Sequence, residues 1–193
     1  VYKGLWTEEE EPPTIHSLLP QRTLYLSSFS KTLGPALRIG FVVAPDVLLV
    51  PIRRRKFLQT LSGDAYTQNL VADFVDRRGY QRHLAELRDE LSRRARIARL
   101  QSQPFARLGR FVASFTGGLF WRFEFAAGVD AMRLYRAARE ENILLSPGCF
   151  FRSEPLTGLP DSGDSWMRVN VSRCEGEVLA KVLRLLGRAA FAS

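Results

Sequence analysis

An α/β fold is predicted for this 193-residue chain by the alternation of two kinds of segment and by the punctuation between them. Short runs rich in β-branched and aromatic residues read as strands, and longer runs with apolar residues at helical spacing read as helices. Gly, Pro and Asp fall at the joints. In order, residues 7–20, with four glutamates followed by Pro12-Pro13, read as a surface loop, and residues 23–27 and 39–43 as two strands. Helices follow over 46–60, 65–77 and 80–100, with Gly79 breaking the last two. Strands are predicted over 110–115, 119–125, 143–145 and 166–171, and helices over 130–141, where Asp130 is placed to cap, and 175–188.

Composition limits the function classes. Hydrophobic residues at 46% and charged residues at 25% are ordinary globular usage. The longest apolar runs, such as 39–44 and 47–52, are far below the roughly 20 residues of a membrane-spanning helix. No signal-peptide pattern opens the chain, and Cys149 and Cys174 are not spaced as a Cys-x-x-Cys pair. A reduced, cytoplasmic setting is expected. The net charge of +8 has two readings. Arg53-Arg54-Arg55-Lys56 and the arginines at 93, 94, 96 and 99 could attract nucleic acid, or could be solvated helix faces alternating with Leu84, Leu87, Leu91 and Ile97. No helix-turn-helix or zinc-finger spacing occurs, and any DNA-binding domain would precede residue 1.

The chemistry concentrates in Ser28-Phe29-Ser30-Lys31-Thr32-Leu33-Gly34-Pro35-Ala36-Leu37-Arg38-Ile39-Gly40. Basic positions are overwhelmingly arginine, with lysine only at 3, 31, 56 and 181. Lysine can form an imine where arginine cannot, once its amine is partly deprotonated by desolvation or by neighbouring cations. Phe29 and Leu33 bracket Lys31, and Arg38 follows closely, so desolvation of Lys31 is expected. The hydroxyls of Ser28 and Ser30 and the guanidinium of Arg38 suit a phosphate.

This segment resembles the cofactor-lysine segment of the fold type I pyridoxal-phosphate enzymes, the aspartate-aminotransferase superfamily. Within it the likeness is to the aminotransferase-like domain of MocR-type GntR regulators and to 2-aminoadipate-type transaminases. Ala36 departs from the pattern, which usually carries Gly there, but it removes no ligand. Further segments agree in order. Gly79-Tyr80-Gln81-Arg82-His83-Leu84 resembles the opening of a long helix, and Phe115-Thr116-Gly117-Gly118 a turn into a small-domain strand. Ser146-Pro147-Gly148 with Phe150-Phe151 resembles a loop beside the active site, and Trp166-Met167-Arg168-Val169-Asn170 the strand whose arginine meets the substrate α-carboxylate.

The resemblance implies pyridoxal 5'-phosphate as cofactor. Lys31 would be the imine lysine and catalytic residue, Ser28, Ser30 and Arg38 would bind the phosphate, Tyr2 would meet the cofactor's ring oxygen, and Arg168 would bind substrate. It implies the C-terminal part of a longer protein, with residues 1–78 finishing a large, mostly parallel sheet and 79–193 forming the connecting helix and a small α+β domain. The implied function is amino transfer from an amino acid to a 2-oxo acid, by a homodimer. The alternative is a ligand-sensing domain of a GntR/MocR-type DNA-binding regulator, and a cofactor-free descendant is a third possibility.

Other chemistries fit the residues less well. Ser28-x-x-Lys31 matches a Ser-x-x-Lys signature of serine acyl-enzymes, but Gly34-Pro35 interrupts the helix that motif must open and no Lys-Thr-Gly follows. His16 and His83 are the only histidines, and neither has a second ligand at useful spacing, so no metal site is expected. No Walker-type or dinucleotide glycine pattern occurs.

Overall fold

The computed structural model describes residues 3–6, 11–112, 118–152, 164–173 and 175–191. Its elements are α1 (Ile15–Leu18), β1 (Tyr25–Ser28), β2 (Gly40–Val43), α2 (Asp46–Thr60), α3 (Ala65–Asp76), α4 (Gly79–Ser102), β3 (Gly109–Phe111), β4 (Phe120–Phe125), α5 (Ala131–Glu140), β5 (Trp166–Asn170) and α6 (Gly176–Phe191). The backbone divides into two compact units, Val1–Arg88 and Asp89–Ser193, so the division falls within α4. Among the described residues, no helix is long and apolar enough to cross a membrane.

In the first unit β1 and β2 pair antiparallel, with Tyr25 opposite Val43 and Ser28 opposite Gly40. A single antiparallel pair neither forms nor excludes the large, mostly parallel sheet that residues 1–78 are expected to finish. The connection from Phe29 to Ile39 is too short for the crossover of roughly a dozen or more residues that parallel strands require. The expected surface loop contains α1, whose first turn is capped by Thr14, the Oγ1 of which accepts the Ser17 N–H at 3.0 Å. Helix α3 is capped by Asp64, which accepts from the amides of Tyr66 and Thr67.

The break between α3 and α4 is made by Arg78, in the left-handed region at φ 59°, while Gly79 already belongs to α4. Gly79 is needed for a different reason: a Cβ there would lie 2.8 Å from the Phe74 ring. Much apolar surface of this unit is exposed. Leu26, Val47, Val50, Phe57, Leu58 and Leu61 are all more than half exposed.

The second unit has a core of its own. Strands β3, β4 and β5 form an antiparallel sheet in that order, with Phe111 opposite Phe123 and Arg122 opposite Arg168. Strand β4 alternates as period-two burial demands: Trp121, Phe123 and Phe125 face inward. Phe123 is fully buried, edge-on to Phe111 at 5.2 Å and to Phe125 at 5.5 Å. Leu134 and Ala138 of α5, Leu179, Leu183 and Leu186 of α6, and Ala95 and Ala98 of α4 close over the sheet.

Asp130 caps α5, accepting the Met132 N–H at 2.8 Å. Asn142 ends it at φ 58°, and the Ile143 N–H returns to the Ala138 carbonyl at 2.9 Å. That return explains why residues 143–145 do not form the expected strand, since the helix terminus has taken their first donor. Pairing to β5 begins only at Ser146, whose carbonyl accepts from Arg168, and at the Pro147–Met167 bridge, where proline has no N–H to extend the ladder. Strand β3 covers the start of the expected 110–115 segment, and residues 113–117 lie outside the described set.

Candidate functional site

The residues singled out in the first unit sit on one closed connection between β1 and β2. Its ends are fixed by the Ser28–Gly40 pair and by the Phe29 N–H, which donates to the Ile39 carbonyl at 3.0 Å. The Phe29 carbonyl then accepts from the amides of Thr32 at 3.2 Å, Leu33 at 2.7 Å and Gly34 at 3.1 Å. Three donors converging on one oxygen wrap the backbone tightly and leave Ser30 and Lys31 in the bend.

A single 3-10 turn over Pro35–Leu37 follows, ended by Arg38 in the left-handed conformation at φ 52° and ψ 30°. A non-glycine residue there is held at a cost, of the order of 1 kcal/mol. Arg38 donates to the Pro35 carbonyl at 3.4 Å. Ala36, the departure from the family pattern, is exposed within this turn.

The connection therefore brings Ser28, Ser30, Lys31 and Arg38 onto one short, doubly anchored stretch. Ser28 and Ser30 are half-buried, and neither hydroxyl has a partner among the described residues. Lys31 and Arg38 are exposed, and no described carboxylate pairs with either. The desolvation expected for Lys31 is not seen. Phe29 spends its ring elsewhere, 5.7 Å from Phe41 and edge-on to Tyr80 at 5.6 Å. Tyr2 lies outside the described residues. Two hydroxyls, an amine and a guanidinium, with no counter-charge among the described residues, form a donor set that fits a phosphate-bearing aldehyde.

Sequence reasoning missed what holds this connection down. Thr32 is buried, 4% exposed, between the catalytic candidate and Leu33. Its Oγ1 accepts from the Tyr80 hydroxyl at 3.0 Å, and its carbonyl lies 2.6 Å from His83 Nε2. The available signal was the spacing of Tyr80 and His83, three residues apart at the start of α4 and so on one face.

Arg168 belongs to the second unit, at the centre of β5. Its guanidinium lies between two rings, 4.2 Å from the Phe120 centroid and 4.4 Å from that of Phe151. Phe151 is carried by the Gly148–Phe151 turn, which packs so tightly on β5 that a Cβ at Gly148 would fall 2.2 Å from Trp166. Arg122, the cross-strand neighbour of Arg168, is drawn to Glu124 at 3.0 Å and sits 4.7 Å over Trp166. Arg168 is exposed and no described carboxylate meets it. The two phenylalanine rings thus flank a guanidinium that has no carboxylate partner among the described residues. Neither was recognised as an arginine clamp from sequence.

The basic helix face is partly neutralised within the second unit. Glu90 binds Arg93 at 2.7 Å and Arg94 at 2.6 Å, and the hydrogen bond from Arg93, then that from Arg94, holds its carboxyl down at about 2. Arg99 covers the Trp121 ring at 4.6 Å. These contacts favour the solvated-face reading for α4, whereas Arg53 to Lys56 on α2 remain exposed.

Comparison with known proteins agrees with the motif order. No family model matches the chain. The 2-aminoadipate transaminase of Thermus thermophilus is 28% identical over 97% of the chain, which spans 47% of that protein. An uncharacterised helix-turn-helix transcriptional regulator of Bacillus subtilis is 27% identical over 80% of the chain, which spans 32% of it. The chain thus spans less than half the length of these curated relatives. Among solved structures, the α-aminoadipate aminotransferase of Thermus thermophilus, complexed with N-(5'-phosphopyridoxyl)-L-leucine, superposes with a TM-score of 0.81 at 27% identity, covering all of this chain and 49% of that one. A multiple substrate aminotransferase from Thermococcus profundus, at 22% identity and TM-score 0.82, covers 98% of the chain and 46% of its own, and shares the fold. The chain is thus similar in sequence both to a transaminase and to a helix-turn-helix regulator, and it shares its fold with solved aminotransferases.

Proposed function

We propose that this chain serves a pyridoxal-phosphate-dependent aminotransferase that moves an amino group from an amino acid to a 2-oxo acid. The observation that carries the reading is the closed Ser28–Gly40 connection, which presents Ser28, Ser30, Lys31 and Arg38 together, with no counter-charge among the described residues. Ser28 and Ser30 hydroxyls and the Arg38 guanidinium hold the phosphate, the last with charge-assisted hydrogen bonds. Lys31 is the catalytic residue. Its amine would hold the cofactor at its aldehyde end, and the same amine is placed to carry a proton to and from the substrate α-carbon. Bound pyridoxal phosphate supplies an electron sink, and the chain supplies orientation and proton transfer. Arg168 binds the substrate carboxylate through its fork, and Tyr2 donates to the cofactor. The protein acts as a cytoplasmic homodimer, consistent with the exposed apolar side chains of the first unit.

A second reading is favoured by the regulators among the relatives. There the same residues detect an amino-acid ligand, and DNA is bound through a preceding domain. A winged-helix module encoded upstream of Val1 would select this reading. Either function requires Lys31. Titrating the full-length protein with pyridoxal phosphate should produce the near-visible absorbance of a lysine-bound cofactor, and Lys31→Ala should abolish it. Equal absorbance in the variant would overturn the proposal.

A further inference from the structure

Thr32 presents two oxygens to α4, and they differ in kind. Its carbonyl can only accept, so the 2.6 Å contact with His83 requires hydrogen on Nε2. Its Oγ1 accepts from the Tyr80 hydroxyl at 3.0 Å and keeps its own proton to donate. Both contacts reach across some fifty residues of sequence to the residue that follows Lys31. The same face of α4 completes the packing: Tyr80 meets Phe29 edge-on, and His83 meets Phe74 at 6.3 Å. Phe29, in turn, holds the amides of Thr32, Leu33 and Gly34 on its carbonyl. The bend carrying Lys31 is therefore fastened at Phe29, its first residue, and at Thr32, just beyond the lysine.

We propose that Tyr80 and His83 are positioning residues, a polar latch on Thr32 that fixes the backbone from which Lys31 reaches its cofactor. A lysine side chain has four rotatable bonds, and only its Cα is set by the fold. An unfastened bend would spread the amine over many positions, and ordering it would have to be repaid on binding. Two hydrogen bonds on the adjacent residue, in a buried environment, remove that backbone freedom beforehand while leaving the amine accessible. His83 acts through its Nε2–H, with no change of charge required.

The inference rests on the cofactor reading above, and the test separates the two. Full-length wild type, His83→Leu and His83→Gln are compared, together with Thr32→Val, which keeps the shape and removes the Oγ1. Glutamine can place an N–H donor near the position of Nε2; leucine cannot. Hydrogen exchange of the Thr32, Leu33 and Gly34 amides should accelerate about tenfold or more in His83→Leu and return toward wild type in His83→Gln. The dissociation constant for pyridoxal phosphate, read by absorbance, should rise about tenfold in His83→Leu and be largely restored in His83→Gln. Thr32→Val should show a smaller change in both.

Unchanged exchange and affinity in His83→Leu would overturn the latch and leave the cofactor reading intact. Equal losses in the leucine and glutamine variants, or exchange accelerated throughout α4 and not at the bend, would also overturn it, because packing alone would then account for the effect. Accelerated exchange at the bend in His83→Leu, restored in His83→Gln, together with a wild type that binds no pyridoxal phosphate, would support the latch and sink the cofactor reading.

Discussion

Replacing Arg168 by lysine retains one positive charge at the centre of β5 and removes everything else that the structure builds around it. The guanidinium lies 4.2 Å and 4.4 Å from two ring centroids, contacts that restrict its motion before any ligand arrives. An ammonium can make one strong hydrogen bond to a carboxylate where the fork makes two. Losing one charge-assisted hydrogen bond costs about 1.5 to 3 kcal/mol, or roughly 10- to 100-fold in affinity. The ring contacts contribute about 0.5 to 1 kcal/mol each at an exposed site, and their loss adds flexibility to the remaining charge. The assay is amino-acid binding to the full-length protein loaded with pyridoxal phosphate, alongside titration of the cofactor itself. The expected outcome is an amino-acid dissociation constant raised about 10- to 100-fold, with cofactor affinity within about twofold of wild type. Phe151→Leu, which leaves Arg168 charged but frees one face, should give a smaller loss in the same direction. An unaltered amino-acid affinity in Arg168→Lys, or a cofactor affinity that falls in parallel, would refute the assignment.

Phe123→Ala should destabilise the protein by about 3 to 5 kcal/mol, because the ring is fully buried between Phe111 and Phe125; denaturant unfolding measures this. The Glu90 carboxyl, held at about 2 by Arg93 and then Arg94 against an ordinary 4.5, is depressed on folding. Its contribution is therefore fully present above pH 4.5, and is lost as pH falls through about 2; carboxyl titration by NMR should show Arg93→Gln moving the midpoint up toward the ordinary value.

Much of the secondary structure was legible because its causes are local. Helix α2 runs over 46–60 as the punctuation dictates, and α5 begins after Asp130, whose side chain performs the capping that its position suggested. Strand β4 is readable from its strict alternation. The failures have non-local causes. The segment 143–145 has the composition of a strand, but the left-handed Asn142 turns its first amide back onto α5. The break before α4 was assigned to Gly79, the residue most permissive of positive φ, yet Arg78 adopts that conformation and the glycine answers the proximity of Phe74. A tertiary contact, invisible in the local pattern, decided which of two neighbours had to be small.

The same division runs through the candidate site. Ser28, Ser30, Lys31 and Arg38 could be singled out because their chemistry is carried by residue type and close spacing. Desolvation of Lys31 was inferred from its apolar neighbours in sequence, and that inference failed because adjacency along a bend does not set direction: Phe29 turns to Phe41 and Tyr80 while Lys31 faces out. The residue that is buried is Thr32, a polar one, and it is buried because Tyr80 and His83 satisfy its oxygens from some fifty positions away. Under the proposed latch, loosening the contacts of Tyr80 and His83 with Thr32 should weaken capture of an aldehyde at Lys31 and leave folding of the Phe123 core unaffected.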